Sequence, residues 1–174
     1  MSFIKSDNSA KYYAPGYFIA RGDETVTRET REIKQSGAIT ADNGAKYVPM
    51  GTIYPANDAT AEGIVYEDVD VTTGDMPGSV VLDGCVYTER LAPTGVDYSA
   101  VTPVTGDNPS EKGWYTRSGS EGAYVYTLTT DTTVQSGTTY YEQIIVTISS
   151  AAKTALQGKG FVFIDTVPAV TRPY

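Results

Sequence analysis

Histidine is absent from this 174-residue chain, and cysteine occurs once, at Cys85. Without imidazole there is no Ser-His-Asp triad, no His-ligated zinc and no histidine pH switch. A single thiol excludes an intrachain disulfide and an all-thiolate metal site, so the chain tolerates a reducing compartment. Cations are scarce as well: 13 Lys and Arg stand against 21 Asp and Glu, a net charge of −8. Phosphate binding relies on Lys and Arg and on counterion release, so neither nucleic acid nor an anionic membrane is expected as a partner. No segment reaches the ~18 consecutive apolar residues of a transmembrane helix. Met1 to Lys11 lacks the apolar stretch of a signal peptide. A soluble chain made in a cytoplasm is the expectation.

Leucine is rare, at 4 residues, whereas Val and Ile together number 27, Thr 24 and Tyr 14. Branched and aromatic residues fit a pleated, half-buried surface, and helical cores draw on leucine. With 17 Gly and 9 Pro as punctuation, the composition reads as mainly β with many turns. The length suits one domain, or a small core carrying an insertion and an arm.

Residues 1–46 differ from the rest. Tyr12-Tyr13-Ala14-Pro15-Gly16-Tyr17-Phe18-Ile19 is an aromatic cluster broken by a Pro-Gly turn, and Arg21 to Lys34 is charged with only Val26 and Ile33 as apolar anchors. Such a segment buries too little apolar surface to fold alone and is expected to be an extended arm that orders against a partner. From Tyr47 the pattern becomes globular: Gly63 to Val71 reads as a strand, Thr72 to Asp75 as a turn and Ser79 to Thr88 as the clearest strand, with Gly84 marking a bulge or a close approach. Residues 93–143 hold Pro93, Pro103 and Pro109, then short aromatic strands around Trp114-Tyr115, Tyr124 to Leu128 and Tyr140-Tyr141, and read as an inserted three-stranded β unit. Ile144 to Ile148 is a further strand. Ser149 to Leu156 carries serines for an N-cap and alanines for propensity, with Gly158 as a stop, so one short helix is expected. Phe161 to Ile164 is an all-apolar run expected to be a strand buried on both faces. Residues 47–92 and 144–168 thus form the expected core, and 169–174 a tail.

Signals for chemistry are few. Ser150-Ala151-Ala152-Lys153 matches S-x-x-K, but the companion S-D-N and K-T-G motifs are missing, and serine here serves as a cap. Glu67, Asp68, Asp70, Asp75 and Asp83 concentrate negative charge, yet a calcium loop starting at Asp68 would place Thr73 where glycine belongs and Ser79 where the bidentate Glu belongs. Those acids read as a solvated face; as a glycosidase pair they lack any fixed separation. Arg21-Gly22-Asp23 spells a receptor-binding tripeptide and reads as chance within an arm. Cys85 has no activating base. No catalytic residue, cofactor or metal is expected, and the chain reads as a non-enzyme. Trp114, Tyr115, Tyr140 and Tyr141 either face outward, to stack on sugar rings or anchor an interface, or supply the small core of their own module.

The stretch Val48-Pro49-Met50-Gly51-Thr52-Ile53-Tyr54-Pro55-Ala56-Asn57-Asp58-Ala59-Thr60-Ala61-Glu62-Gly63-Ile64-Val65-Tyr66 resembles the head fibre and head decoration proteins of tailed bacteriophages. So do Val69 to Asp75 and Val80 to Tyr87, and more weakly the segment around Ala151-Ala152-Lys153 and Phe161-Val162-Phe163. The likeness covers about 45 residues well and about 20 more weakly, and residues 93–143 lie outside it; they look like a small β module inserted in various phage structural proteins. The resemblance implies a homotrimer on the outer capsid surface of a virion that clamps neighbouring subunits of the major capsid protein. Tyr12, Tyr13, Tyr17, Phe18 and Ile19 would be the apolar anchors of a capsid-binding arm, with Arg21, Arg28 and Arg31 meeting acidic capsid surface. Rival readings are a glycan-binding adhesion module displayed on the virion, carried by residues 93–143, and a tail or baseplate component.

Overall fold

A computed structural model of the chain describes residues 15–20 and 26–165. The fold is mainly β, with thirteen strands and one α-helix among these residues. By contacts the chain divides into two compact units, one made of residues 1–94 and 147–174, the other of Gly95–Val146.

In the first unit, β1 (Arg28–Ile33), β7 (Met76–Val81), β5 (Gly63–Val65) and β4 (Ile53–Tyr54) form one antiparallel sheet in that spatial order. Side chains alternate across a sheet, and here both faces are covered. Ile64 and Val81, paired across β5 and β7, join Phe18, Ile53, Val86, Leu91, Leu156 and Phe161 in one core. Val65 and Val80, the next pair, join Ile33, Val48, Val69 and Val71 in a second. The three residues of β5 are therefore all buried, which is why its sequence, Gly-Ile-Val, shows no polar alternation. A three-stranded sheet of β2 (Ile39–Thr40), β3 (Lys46–Val48) and β6 (Val69–Asp70) supplies Val48 and Val69 to that second core.

β8 (Gly84–Tyr87) is paired in parallel with β13 (Phe161–Ile164), and on its other side Ile19 bridges Val86. Helix α1 (Ser150–Gln157) precedes β13 and buries Ala152 and Leu156. Its start is set locally: the Ser149 hydroxyl accepts the Ala152 N–H at 3.1 Å and donates to the Asn57 carbonyl at 2.8 Å.

Several expectations are corrected. The Gly63–Val71 strand is two strands, β5 and β6, separated at Tyr66 to Asp68, where the Asp68 carboxylate accepts the Met50 N–H at 2.7 Å. The Ser79–Thr88 strand is likewise broken: the Asp83 carboxylate turns aside to accept the Thr27 N–H at 2.6 Å, and Gly84 follows with φ +125°. A Cβ on Gly84 would lie 2.6 Å from Val26 Cγ1, so close approach and a left-handed backbone both require glycine. β13 is buried on one face only, because Phe161 enters the core while Val162 stays 58% exposed. The N-terminal segment expected to order against a partner supplies β1 to the first unit's own sheet, and Phe18 and Ile33 to its two cores. Few apolar residues sufficed because Phe18 and Ile33 are almost completely enclosed, with Ile19 and Val26 half-buried against the same core as Phe18.

The second unit is a single four-stranded antiparallel sheet in the order β11 (Val125–Leu128), β10 (Tyr115–Ser118), β12 (Tyr140–Val146), β9 (Gly95–Ala100). It has four strands, not the expected three, because β9 pairs along six residues with β12. β12 also takes in Tyr140-Tyr141 and ends at Val146, so Thr147 and Ile148 lie outside any strand.

Candidate functional site

Register places the side chains of the second sheet. Tyr115 is opposite Leu128 and Tyr141, Arg117 is opposite Tyr126, and Tyr98, Ile145 and Val96 follow from the β9–β12 pairing. These residues share one face. Tyr98 and Tyr126 stack with ring centroids 3.9 Å apart, and Tyr115 and Tyr141 meet that pair edge-on at 5.1 and 5.2 Å. Around these rings Val96, Leu128 and Ile145 remain more than half exposed. The face is aromatic and aliphatic with one charge, Arg117; the sheet's carboxylates, Asp97 and Glu142, have the opposite parity.

Arg117 is clamped between rings, its guanidinium carbon 4.1 Å from the Tyr124 centroid and 5.0 Å from that of Tyr141. Beside it the sheet opens. β10 and β12 are paired only at Tyr115–Tyr141 and Thr116–Tyr140, and where the chain then diverges Thr116, Arg117, Gly137, Thr138, Thr139 and Tyr141 line an open depression.

The other face holds the small core. Trp114 packs against Tyr140, ring centroids 5.8 Å apart, and both are buried. The Tyr140 hydroxyl donates to Asp131 at 2.7 Å and accepts the Gln135 N–H at 3.1 Å. Burial raises the Tyr140 pKa, and the neighbouring carboxylate acts in the same direction. Asp107 is held low by Lys112, 2.6 Å away, and by the Val104 N–H.

Of the four aromatics read as either an outward surface or the module's own core, Trp114, Tyr140 and Tyr141 are buried and Tyr115 is half-buried. A unit of 52 residues has little other bulk with which to exclude water, so Trp114 and Tyr140 pack together on one face while Tyr141 lies against Tyr126 and Arg117 on the other. Sequence reasoning missed Tyr98, Arg117 and the partnership of Tyr126 with Tyr141. The alternation Tyr124-Tyr126-Leu128 was a usable signal for one strand, but which rings meet across strands depends on register.

In the first unit, Tyr17 has the Arg90 guanidinium 4.2 Å over its ring, and Arg90 also lies 4.4 Å from the Tyr87 centroid while donating to the Tyr17 carbonyl at 3.1 Å. Phe18 is fully buried, so it is a core residue and not a surface anchor. Ile19 is half-buried against the same core. Arg28 lies 4.3 Å over Tyr66, and Arg31 pairs with Glu29 at 2.8 Å. Tyr12, Tyr13 and Arg21 lie outside the described residues, as does the Arg-Gly-Asp tripeptide. Among the described residues, Tyr17, Arg28 and Arg31 thus have separate partners, Arg90, Tyr66 and Glu29.

The acidic residues singled out in the sequence serve local turns. The Thr72 side chain and N–H lower the pKa of Asp70; Asp75 accepts the Gln35 N–H at 2.8 Å and pairs with Lys34 at 2.9 Å, which lowers its own, while Glu32 and then Asp75 raise that of Lys34. Among the described residues no group of three or more His, Cys, Asp or Glu could hold a metal ion. Lys153, of the S-x-x-K match, pairs with Asp165 at 2.8 Å, and Cys85 is a free, half-buried thiol.

Fold and site together define a mainly β protein of two units, the second with an aromatic sheet face that carries a ring-clamped arginine. Compared with protein-family models, with curated proteins and with solved structures, the chain gives no match.

Proposed function

We propose that this chain is a capsid decoration protein of the head-fibre kind, binding the outside of a phage head as a homotrimer and stabilising contacts between subunits of the major capsid protein. The reading rests on the resemblance of the Val48–Leu91 stretch to head-fibre and head decoration proteins. That stretch runs from the end of β3 through β8 and supplies most of both cores of the first unit. A second support is the charged outer strand β1, whose Arg28, Glu29, Thr30 and Glu32 are exposed along one edge of the sheet. A sheet edge offers unpaired backbone groups and alternating side chains to a partner. Tyr12, Tyr13 and Arg21 remain proposed capsid contacts; Phe18, a core residue, does not.

The test is co-sedimentation of the full-length protein with DNA-free mature phage heads, with tails as the control. Saturable binding to heads alone, near one trimer per threefold site, is the expected result. Binding to tails, or to neither particle, overturns the reading. Arg28→Ala with Arg31→Ala is expected to weaken head binding while the far-UV spectrum stays that of the parent.

A further inference from the structure

Between residues 95 and 146 there are two cations, Lys112 and Arg117, against six carboxylates. Lys112 is taken by Asp107 at 2.6 Å. Arg117 makes no ion pair among the described residues, although the unit around it is strongly acidic. Its partners are the Tyr124 and Tyr141 rings, which fix the guanidinium without neutralising it. Arg117 is exposed, and its ring contacts restrict the guanidinium, so part of the ordering that a ligand would impose is already in place. Its planar fork suits a carboxylate, two N–H groups to two oxygens.

The adjoining depression adds the rest of the recognition chemistry. Thr138 and Thr139 bring hydroxyl-bearing side chains to its lining, beside Arg117 and Tyr141. Neutral hydroxyls both donate and accept, which matches the ring hydroxyls of a sugar. The surrounding negative charge disfavours a dense polyanion such as nucleic acid and tolerates a ligand with one charge per ring.

We propose that the Arg117 depression binds an acidic saccharide, a pyranose bearing a carboxylate, with the carboxylate on Arg117 and the ring hydroxyls on Thr138 and Thr139. The site is independent of capsid decoration, since the residues that form it all lie in the second unit.

The experiment titrates the full-length, isotope-labelled protein with trigalacturonate and follows backbone and Arg117 side-chain resonances by NMR. Three comparisons accompany it: the neutral galactose trimer, triglutamate of equal charge, and the variants Arg117→Gln and Thr138→Ala. Saturable millimolar binding, with shifts centred on residues 116–117 and 137–141, is expected. Arg117→Gln should weaken it at least tenfold and Thr138→Ala about threefold, and both trimeric controls should bind at least tenfold more weakly. Dispersed parent-like spectra of the two variants establish that they are folded. No saturable binding in the millimolar range, equal binding by Arg117→Gln, or equal binding of triglutamate each overturns the proposal.

Discussion

The Tyr140 hydroxyl donates to the Asp131 carboxylate at 2.7 Å from a ring that is completely buried. The same oxygen accepts the Gln135 N–H, so one phenol ties together the segment that precedes β12. Tyr140→Phe keeps the packing against Trp114 and leaves both partners unpaired. The expected loss is about 1–3 kcal/mol, read as reduced hydrogen-exchange protection across 95–146. Unchanged protection would assign Tyr140 to packing alone.

Gly84 is the second test. A Cβ there meets Val26 Cγ1 at 2.6 Å, and φ +125° strains any other residue. Gly84→Ala is expected to cost about 2–3 kcal/mol, seen as a lower denaturant midpoint at constant slope. A Gly74→Ala variant, with φ +136° but nothing within 4 Å, separates backbone strain from crowding and should cost less.

The adjacent serines 149 and 150 should behave differently. Ser149 caps α1 and reaches the Asn57 carbonyl, whereas Ser150 is exposed in the first turn. Ser149→Ala should cost about 1–2 kcal/mol and Ser150→Ala almost nothing, both by thermal unfolding. Equal costs would remove the cap as the explanation.

Acid should destabilise the protein through its turn carboxylates. Asp58 is lowered by the Thr60 hydroxyl and N–H, Asp75 by the Gln35 N–H and Lys34, and Asp165 by Lys153 and Thr88. A carboxylate whose folded pKa is depressed contributes stability above its unfolded value, about 3.9, and that contribution is lost as pH falls through the folded value. Tyr140 and Lys34 have raised folded values. Their contributions are complete below unfolded values of about 10 and are lost as pH rises through the folded ones. Stability should therefore be level at neutral pH and decline below about pH 4 and above about pH 10. Denaturant midpoints across pH 2–11 check both limbs; Asp75→Asn should shrink the acid limb.

Local signals were the legible part. Ser149, the alanines and Gly158 mark α1 because capping and propensity act within one or two turns, and Phe161 to Ile164 marks β13 because a short branched and aromatic run leaves little alternative. The excess of Val, Ile, Thr and Tyr over Leu likewise carries the mainly β character. At Asp83–Gly84 the sequence pattern alone reads as one continuous strand, since nothing within ten residues reveals that Thr27 waits to bond the carboxylate.

Composition and order by themselves settled the secondary-structure class, the helix and its cap, and the absence of imidazole chemistry. Which aromatics are core and which form a face was decided by strand register. Tyr140 and Tyr141 are neighbours in the chain, yet one packs with Trp114 and bonds Asp131 while the other meets Tyr126 and Arg117 across the sheet. The physical reason is the two-residue period of a strand, which sends adjacent side chains to opposite faces. Whether a face is buried then depends on other segments of the sheet, Trp114 lying 26 residues before Tyr140. Phe18 shows the same dependence: it sits in an aromatic run near the N-terminus, and the core that encloses it includes Val86 from mid-chain and Leu156 and Phe161 from the far end.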